Sequence, residues 1–412
     1  MTLLATQALF LIFLPAVISS VVGPLHTSGR WIVDSSQKRV KLRCTNWAGH
    51  LETNVPEGLQ HQPVDTISAW IAANGFNCVR LTYSIDMALG PNVLVSDSFN
   101  QAAAKTGATN ASFAALYSSA IEKNPFLTSA TLLDTYTEVI SSLATHNVAV
   151  ILDNHVSKAI WCCNFTDGNG WFADTSPYVA ANQQYFIVSD WLAGLKAMAT
   201  YALGHSNVIG MSLRNEMRPL PIIQDFDNTD WYSHVTEGAQ TIHAAAPNLL
   251  IMIGGINGAT DAAFLRDDPL DTSAWANQTV WEFHIYSYSV GYTTGDCSLF
   301  QSELGVAAGY LLEQNQAFTG PLWLSEFGVG MTGGNNTGLN DQDYAYLTCL
   351  VDYMESNDAD WGVWALQGDY YVREGQTSSD ESYGLLNGAW NAWRNPEFAG
   401  LLGSMWNVNQ GP

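Results

Sequence analysis

Eight short apolar runs, each separated from the next by a helix-sized interval, constrain this chain more than any other feature of its sequence. They are "KLRCTNWAG" (41–49), "FNCVRLTY" (76–83), "NVAVILDNH" (147–155), "NVIGMSLRNE" (207–216), "NLLIMIGGI" (248–256), "TVWEFHIYSY" (279–288), "PLWLSEFGVG" (321–330) and "WGVWALQGD" (361–369). Near-continuous hydrophobicity marks strands buried on both faces, and such strands pair in parallel through helical crossovers. The intervals carry apolar residues at helical spacing, as in "TLLDTYTEVISSLATH" (131–146) and "DYAYLTCLVDYMESN" (343–357). Eight repeats of this kind predict an α/β chain folded as a single (β/α)8 TIM barrel, with a doubly wound open sheet as the alternative. No Pro- or Ser-rich linker and no break in composition divides residues 21–412, so one domain is expected there. The 412 residues, 47% of them hydrophobic, suffice for one large core. The length beyond a ~250-residue barrel falls after strands two, three and six, at 84–130, 156–180 and 289–312. All three insertions follow strand C-termini and so lie as long loops over the same face.

Residues 1–20, "MTLLATQALFLIFLPAVISS", form an apolar run ending in small residues, the pattern of a secretory signal peptide, and predict an extracellular protein. No later run reaches the ~18 uncharged apolar residues of a membrane span, so no membrane partner is expected. Export makes the six cysteines disulfide candidates. Cys162 and Cys163, being adjacent, are expected to bond elsewhere rather than to each other. Cys297 is the expected partner of one of them, because both loops follow strands at the same rim. Four N-x-S/T sequons, at Asn110, Asn164, Asn277 and Asn335, fit a secreted glycoprotein. A net charge of −23 argues against a nucleic-acid partner, whose phosphates are met by Lys and Arg. With 15 Trp and 17 Tyr, the chain suits neutral ligands bound by stacking. No partner chain is expected, the protein acting as a monomer.

In a parallel barrel the catalytic residues project from strand C-termini. Those ends here carry Arg80, Asp153, Asn154, His155, Asn215, Glu216, His284, Tyr286, Glu326 and Trp364. A purely structural barrel needs no such polarity on one rim. Glu216 closes the fourth run and Glu326 the seventh, which sets two carboxylates on opposite sides of one pocket. That is the apparatus of glycoside hydrolysis, where one carboxyl is protonated to assist the leaving group and the other is ionised to attack the anomeric carbon.

These residues carry a resemblance. The chain resembles glycoside hydrolase family 5, the cellulase-type family of retaining (β/α)8 glycosidases. An Asn-Glu pair ending strand four and a Glu ending strand seven are shared with it, as are an Arg on strand two, a His after strand three, a His-x-Tyr on strand six and a Trp ending strand eight. "ILDNHVSK", "WCCNFTDGNGWF", "SLRNEMR" and "LSEFGV" are similar to a plant and fungal branch, and the likeness runs from about residue 40 to 370. It implies that Glu216 is the acid/base and Glu326 the nucleophile, with Asn215 bonded to the sugar 2-hydroxyl. It implies further that Arg80 and Tyr286 hold Glu326 ionised, that His155 and His284 bind sugar hydroxyls and orient the carboxylates, and that Trp364 is a stacking platform. Trp47, Trp161 and Trp171 are candidates to extend the platform. The substrate expected is a β-linked oligo- or polysaccharide or glycoside.

Glu216 is expected to titrate above the ordinary carboxylate value, pushed up by burial and by Glu326, with Arg214 and Arg218 clear of it on the other strand face. "GVGMTG" (328–333) fits G-x-G-x-x-G, but "GNNTGLNDQD" follows it where a phosphate cradle needs a helix, so no nucleotide and no other cofactor is expected. A carbohydrate-binding barrel without activity would be expected to lack one of the two Glu residues. Exo-acting glycosidase and transglycosylase remain alternatives to an endo-β-glucanase.

Overall fold

The computed structural model describes residue 21 and residues 23–225, 227–289 and 296–412. The leader expected over residues 1–20 lies outside them, as does part of the insertion after the sixth strand. Each of the eight apolar runs contains one barrel strand: β1 (Arg43–Trp47), β2 (Cys78–Ser84), β3 (Ala149–Val156), β4 (Val208–Ser212), β5 (Leu250–Gly254), β6 (Thr279–His284), β7 (Leu322–Phe327) and β8 (Asp360–Val363). They pair in parallel in chain order, and β8 returns to β1 to close the barrel. Of the eight described helices of ten or more residues, six pack outside as crossovers: α1 (Val64–Ala73), α2 (Leu132–Thr145), α3 (Val188–Ala202), α4 (Thr229–Ala245), α5 (Cys297–Ala307) and α6 (Asp341–Asn357). The helix α2 starts where the sequence supplies a capping box, since Thr131 Oγ1 accepts from Asp134 N at 3.2 Å and Asp134 Oδ2 accepts from Thr131 N at 2.9 Å.

The repeat is imperfect. Between β5 and β6 the described chain makes only two 3-10 turns, Ala263–Arg266 and Ser273–Trp275, because "DDPLD" interrupts any longer helix there. The insertion after β2 forms its own helices, Val95–Thr106 and Asn110–Lys123. A further rim segment lies after β8, where Asp369–Arg373 and Gln376–Asp380 pair as a hairpin. No described helix is long and apolar enough to cross a membrane.

Side-chain alternation along the strands fixes what lies inside. Cys44, Cys78, Ile151, Val280 and Trp323 point into the barrel and pack together as an apolar plug, sealed at the N-terminal end by Leu25 and Ile32. Two residues further along the same strands, on the same face, come Asn46, Arg80, Asp153, Glu282 and Ser325, all buried. The barrel interior therefore turns from apolar to polar in one step toward the C-terminal rim. The alternate positions, such as Val79, Leu81, Val150, Leu152 and Phe283, belong to the larger core under the helices.

All six cysteines are paired, but not as expected. Cys162 bonds to Cys163, and Cys297 bonds to Cys349. Helices α5 and α6 are neighbours in the outer ring, with a Cα–Cα distance of 4.9 Å at that bond, whereas β3 and β6 are three strands apart in the barrel. Proximity in the ring outweighs the shared rim. Cys44 and Cys78 are register partners on β1 and β2.

Candidate active site

A cavity of ≈ 500 Å³ opens at the C-terminal rim, and His155, Asn215, Glu216, His284, Tyr286, Glu326 and Trp364 all line it. Arg80 lies directly beneath, fully buried. Asn215 and Glu216 follow β4 by three and four residues, and the chain turns sharply there, with Glu216 at φ +44°. That left-handed backbone is strained for a residue with a Cβ, by ~1–3 kcal/mol, and it aims the carboxylate back across the pocket mouth. Gly258 on the facing loop takes a left-handed φ of +73°, and a Cβ there would meet the Glu216 carboxyl carbon at an ordinary contact distance of 3.8 Å, so the glycine serves the backbone and not the space. Glu326 projects from the end of β7, and the next Gly328 lets β7 approach β8 where a Cβ would overlap the Trp364 carbonyl.

One oxygen of each carboxylate and a ring nitrogen of His284 lie within 4.8 Å of one another. His284 Nδ1 is 3.1 Å from Glu216 Oε1 and 3.7 Å from Glu326 Oε2. Glu326 is gripped from below: Arg80 Nη1 donates to Oε1 at 2.5 Å and Tyr286 Oη donates to Oε2 at 2.8 Å. The second nitrogen of the Arg80 guanidinium donates to Asp153 Oδ1 at 2.8 Å and to Asn215 Oδ1 at 2.9 Å, and stands 2.9 Å from Glu282 Oε1. One cation thus ties strands β2, β3, β6 and β7 to the Asn215 amide. Asp153 passes the constraint on, because its Oδ2 pairs with His155 Nδ1 at 2.7 Å.

The charges in this cluster are unequal. Burial pushes Asp153 up to about 7 against the pull of Arg80, while Glu282, which burial would also raise, is brought down to about 2 by Arg80 and His284. Burial opposes charge on His284, yet Glu326, Glu216 and Glu282 around it raise its pKa to about 10, so it is a cation. His155 lies well below its ordinary value, through burial and the positive Arg80, and is neutral. The expectation for Glu216 is overturned. Burial raises it, but the hydrogen bond and charge of His284, then Arg218 and Arg80, bring it below the ordinary carboxylate value. Glu326 is raised, by burial first, against His284 and Arg80. Its direct contacts oppose that rise and favour the anion: a guanidinium at 2.5 Å and a phenol at 2.8 Å both bond the ionised carboxylate. The pair and His284 share protons as a unit, and the proton nearest Glu216 sits on the imidazole.

Arg218 accounts for part of the correction. The loop after Glu216 curls back, so Arg218 Nη1 donates to the Glu216 carbonyl at 2.7 Å and lies 3.9 Å from its Oε2, while Nη2 pairs with Asp167 at 2.9 Å. Arg214 is clear of the pocket, its guanidinium bonded to Asn154, Ser157 and the Asn169 carbonyl. Trp47 and Trp171 are also corrected. Strand alternation that points Asn46 inward points Trp47 outward, where its Nε1 donates to the Glu57 carbonyl at 2.9 Å in the core under the helices. Trp171 is folded into the same core against Phe172, at 4.9 Å. Neither lines the cavity. Trp161 does, clamped under the Arg373 guanidinium at 3.6 Å.

Several site residues escaped the sequence reading. Glu282 is two residues before His284 on β6, so alternation on that strand alone would have found it. Tyr288, two beyond Tyr286, stacks on it at 5.1 Å with an interplanar angle of 11°. Arg373, Glu381 and Tyr383 come from the segment after β8, whose sequence carries no signal of its destination. Trp364 stacks on His155 at 5.4 Å, and His155 on His50 at 3.9 Å, a column whose Trp364 packs in one cluster with Tyr286.

The family described as cellulase, glycosyl hydrolase family 5, matches residues 33–369 of this chain. A glycosyl hydrolase 5 family protein of Chamaecyparis obtusa is 38% identical over 401 residues, which cover 94% of this chain and 67% of that protein. An endoglucanase of Paenibacillus polymyxa is 23% identical over 411 residues, covering 92% of this chain and 86% of its own length. The hyperthermophilic endocellulase of Pyrococcus horikoshii shares the fold with a TM-score of 0.70 at 19% identity, over 93% of this chain and 99% of that one.

Proposed function

Because the chain belongs to glycosyl hydrolase family 5, we propose that its rim pocket hydrolyses internal β-glycosidic bonds of soluble β-glucans by double displacement, with Glu326 as nucleophile and Glu216 as acid/base. The observation that carries this reading is the approach of the two carboxylates to within 4.8 Å. Retaining glycosidases hold their carboxyl groups ~5–5.5 Å apart, whereas inverting ones need ~6.5–9.5 Å to admit a water.

In the first step Glu326 forms a bond to the anomeric carbon while the bond to the leaving oxygen breaks and Glu216 supplies that oxygen with a proton. In the second, Glu216 takes a proton from water, whose oxygen attacks the same carbon and releases Glu326. Asn215 binds the 2-hydroxyl, a contact that strengthens as positive charge develops on the ring. The acid's proton reaches Glu216 from His284 across their 3.1 Å contact. A bound sugar displaces water from the trio and adds no charge of its own, so desolvation then favours the neutral acid and neutral imidazole over the ion pair. Trp364 and Tyr288 offer ring faces for adjacent sugars.

Named relatives point to β-glucan: one is called an endoglucanase and a solved neighbour an endocellulase. A second reading, short β-glycosides cut from one end, is favoured by the Arg373–Trp161 stack that walls the pocket on the side of the β8 segment. Export belongs to the proposal too, supported by the pairing of all six cysteines, which fits an oxidising compartment. Incubating the purified protein with barley β-glucan, mannan and aryl β-glycosides tests the reading. A fast fall in glucan viscosity with β-configured product ends is expected. Inverted product ends would overturn the mechanism, and activity confined to aryl glycosides would overturn the endo reading in favour of the second.

A further inference from the structure

The loop after β3 carries the Cys162–Cys163 disulfide into the pocket wall, and the mechanism above gives it no part. Asn215 Nδ2 faces both sulfurs, 3.6 Å from Cys162 Sγ and 3.5 Å from Cys163 Sγ. Arg218 Nη1 also reaches Cys162 Sγ, at 3.7 Å. The opposite end of the same amide, Oδ1, accepts from Arg80 at 2.9 Å. A disulfide sulfur accepts weakly and has no hydrogen to donate, and an amide NH2 has two. One Asn215 hydrogen therefore faces the sulfurs, the oxygen is committed to Arg80, and the second hydrogen is left for a ligand. Two thiols in the same place would no longer be joined and would add donors that compete with the amide.

We propose that the Cys162–Cys163 disulfide is a positioning group for Asn215: oxidised, it fixes the amide that binds the sugar 2-hydroxyl, and reduction to two thiols lowers turnover. The inference rests on the role given to Asn215 above. Reduction by a dithiol passes two electrons and two protons to the pair; the S–S bond breaks, two S–H bonds form, and the dithiol closes to its own disulfide. Cys163 is half-buried at the pocket wall, whereas Cys44 and Cys78 are wholly buried, so the pocket disulfide is the more accessible of these two.

The test is kinetic. Cys162→Ala/Cys163→Ala should lower kcat about tenfold with little change in KM, the effect of one weakened transition-state hydrogen bond. In an Asn215→Ala background the same pair of changes should cause no further loss, because the amide it acts through is gone. A dithiol should reproduce the loss in the wild type and reoxidation should restore it, while Cys297→Ala/Cys349→Ala, outside the pocket, keeps kcat. The dithiol arm decides the matter if the double alanine variant does not fold. Unchanged kcat in the reduced wild type, or losses that multiply with Asn215→Ala, would overturn the proposal. Full activity of Asn215→Ala alone would instead remove the role of Asn215 on which it rests.

Discussion

At the N-terminal end of the barrel Arg39 meets Asp360 at 3.0 Å and Lys41 meets Asp358 at 2.5 Å, whereas at the C-terminal end the single guanidinium of Arg80 serves Asp153, Glu282 and Glu326 together. Both sets are buried. Below the apolar plug, each charge has a dedicated opposite, and such pairs fix the register of the chain ends without leaving a group free to react. Above it, three carboxylates and Glu216 are balanced only by Arg80, His284 and the edge of Arg218, so protons make up the difference and move with the local field. This barrel tolerates unmatched charge at the end that opens to the pocket, on a layer held in place by the matched and apolar end beneath.

The largest effect is expected from Glu326→Gln. With Glu326 as the proposed nucleophile, loss of its charge should lower kcat by ~10⁴ or more, while the isosteric amide leaves the fold in place. Steady-state kinetics and thermal melts check it, and a variant keeping a tenth of the activity would assign the nucleophile elsewhere. At the other end, Lys41→Met should leave Asp358 buried without its cation and lower stability by ~3–5 kcal/mol, with kcat unchanged below the melting range. If denaturant titration finds no destabilisation, the two ends do not differ as described.

A pH effect separates the ends next. In the wild type the His284 pKa of about 10 keeps a proton beside Glu216 into the alkaline range. In His284→Gln that proton must sit on Glu216 itself, which burial raises but Arg218 and Arg80 lower, so it is lost at a lower pH than from the imidazolium. The basic limb of kcat/KM should therefore move to lower pH by ~2 units or more, and a limb that stays put would exclude His284 as the proton source. Stability should follow the same sign. A folded-state pKa raised above the unfolded ~6.5 stabilises fully below that value and loses its contribution as pH rises toward the folded value. The smallest effect expected is at the aromatic wall: Trp161→Ala should raise KM by about tenfold through loss of a stacking face, with kcat little changed. Trp47→Phe, in the core under the helices, should leave both constants alone.

The eight strands, their parallel order and the rim that carries Glu216, Glu326, His284 and Tyr286 are legible in the sequence, because hydrophobic periodicity and strand ends are local properties of the chain. Alternation by two residues also contained Glu282 and Tyr288, and it contained the outward direction of Trp47. Only the tertiary structure decided which cysteines meet, since α5 and α6 become neighbours through the closure of the whole ring. It decided likewise that the segment after β8 delivers Arg373 onto Trp161, and that the loop after β4 curls Arg218 back toward Glu216. The proton balance of the two carboxylates belongs to the same class. It is set by charges from β2, β6, β7 and the β4 loop acting at a few ångströms in a buried site, and no window of sequence brings those groups together.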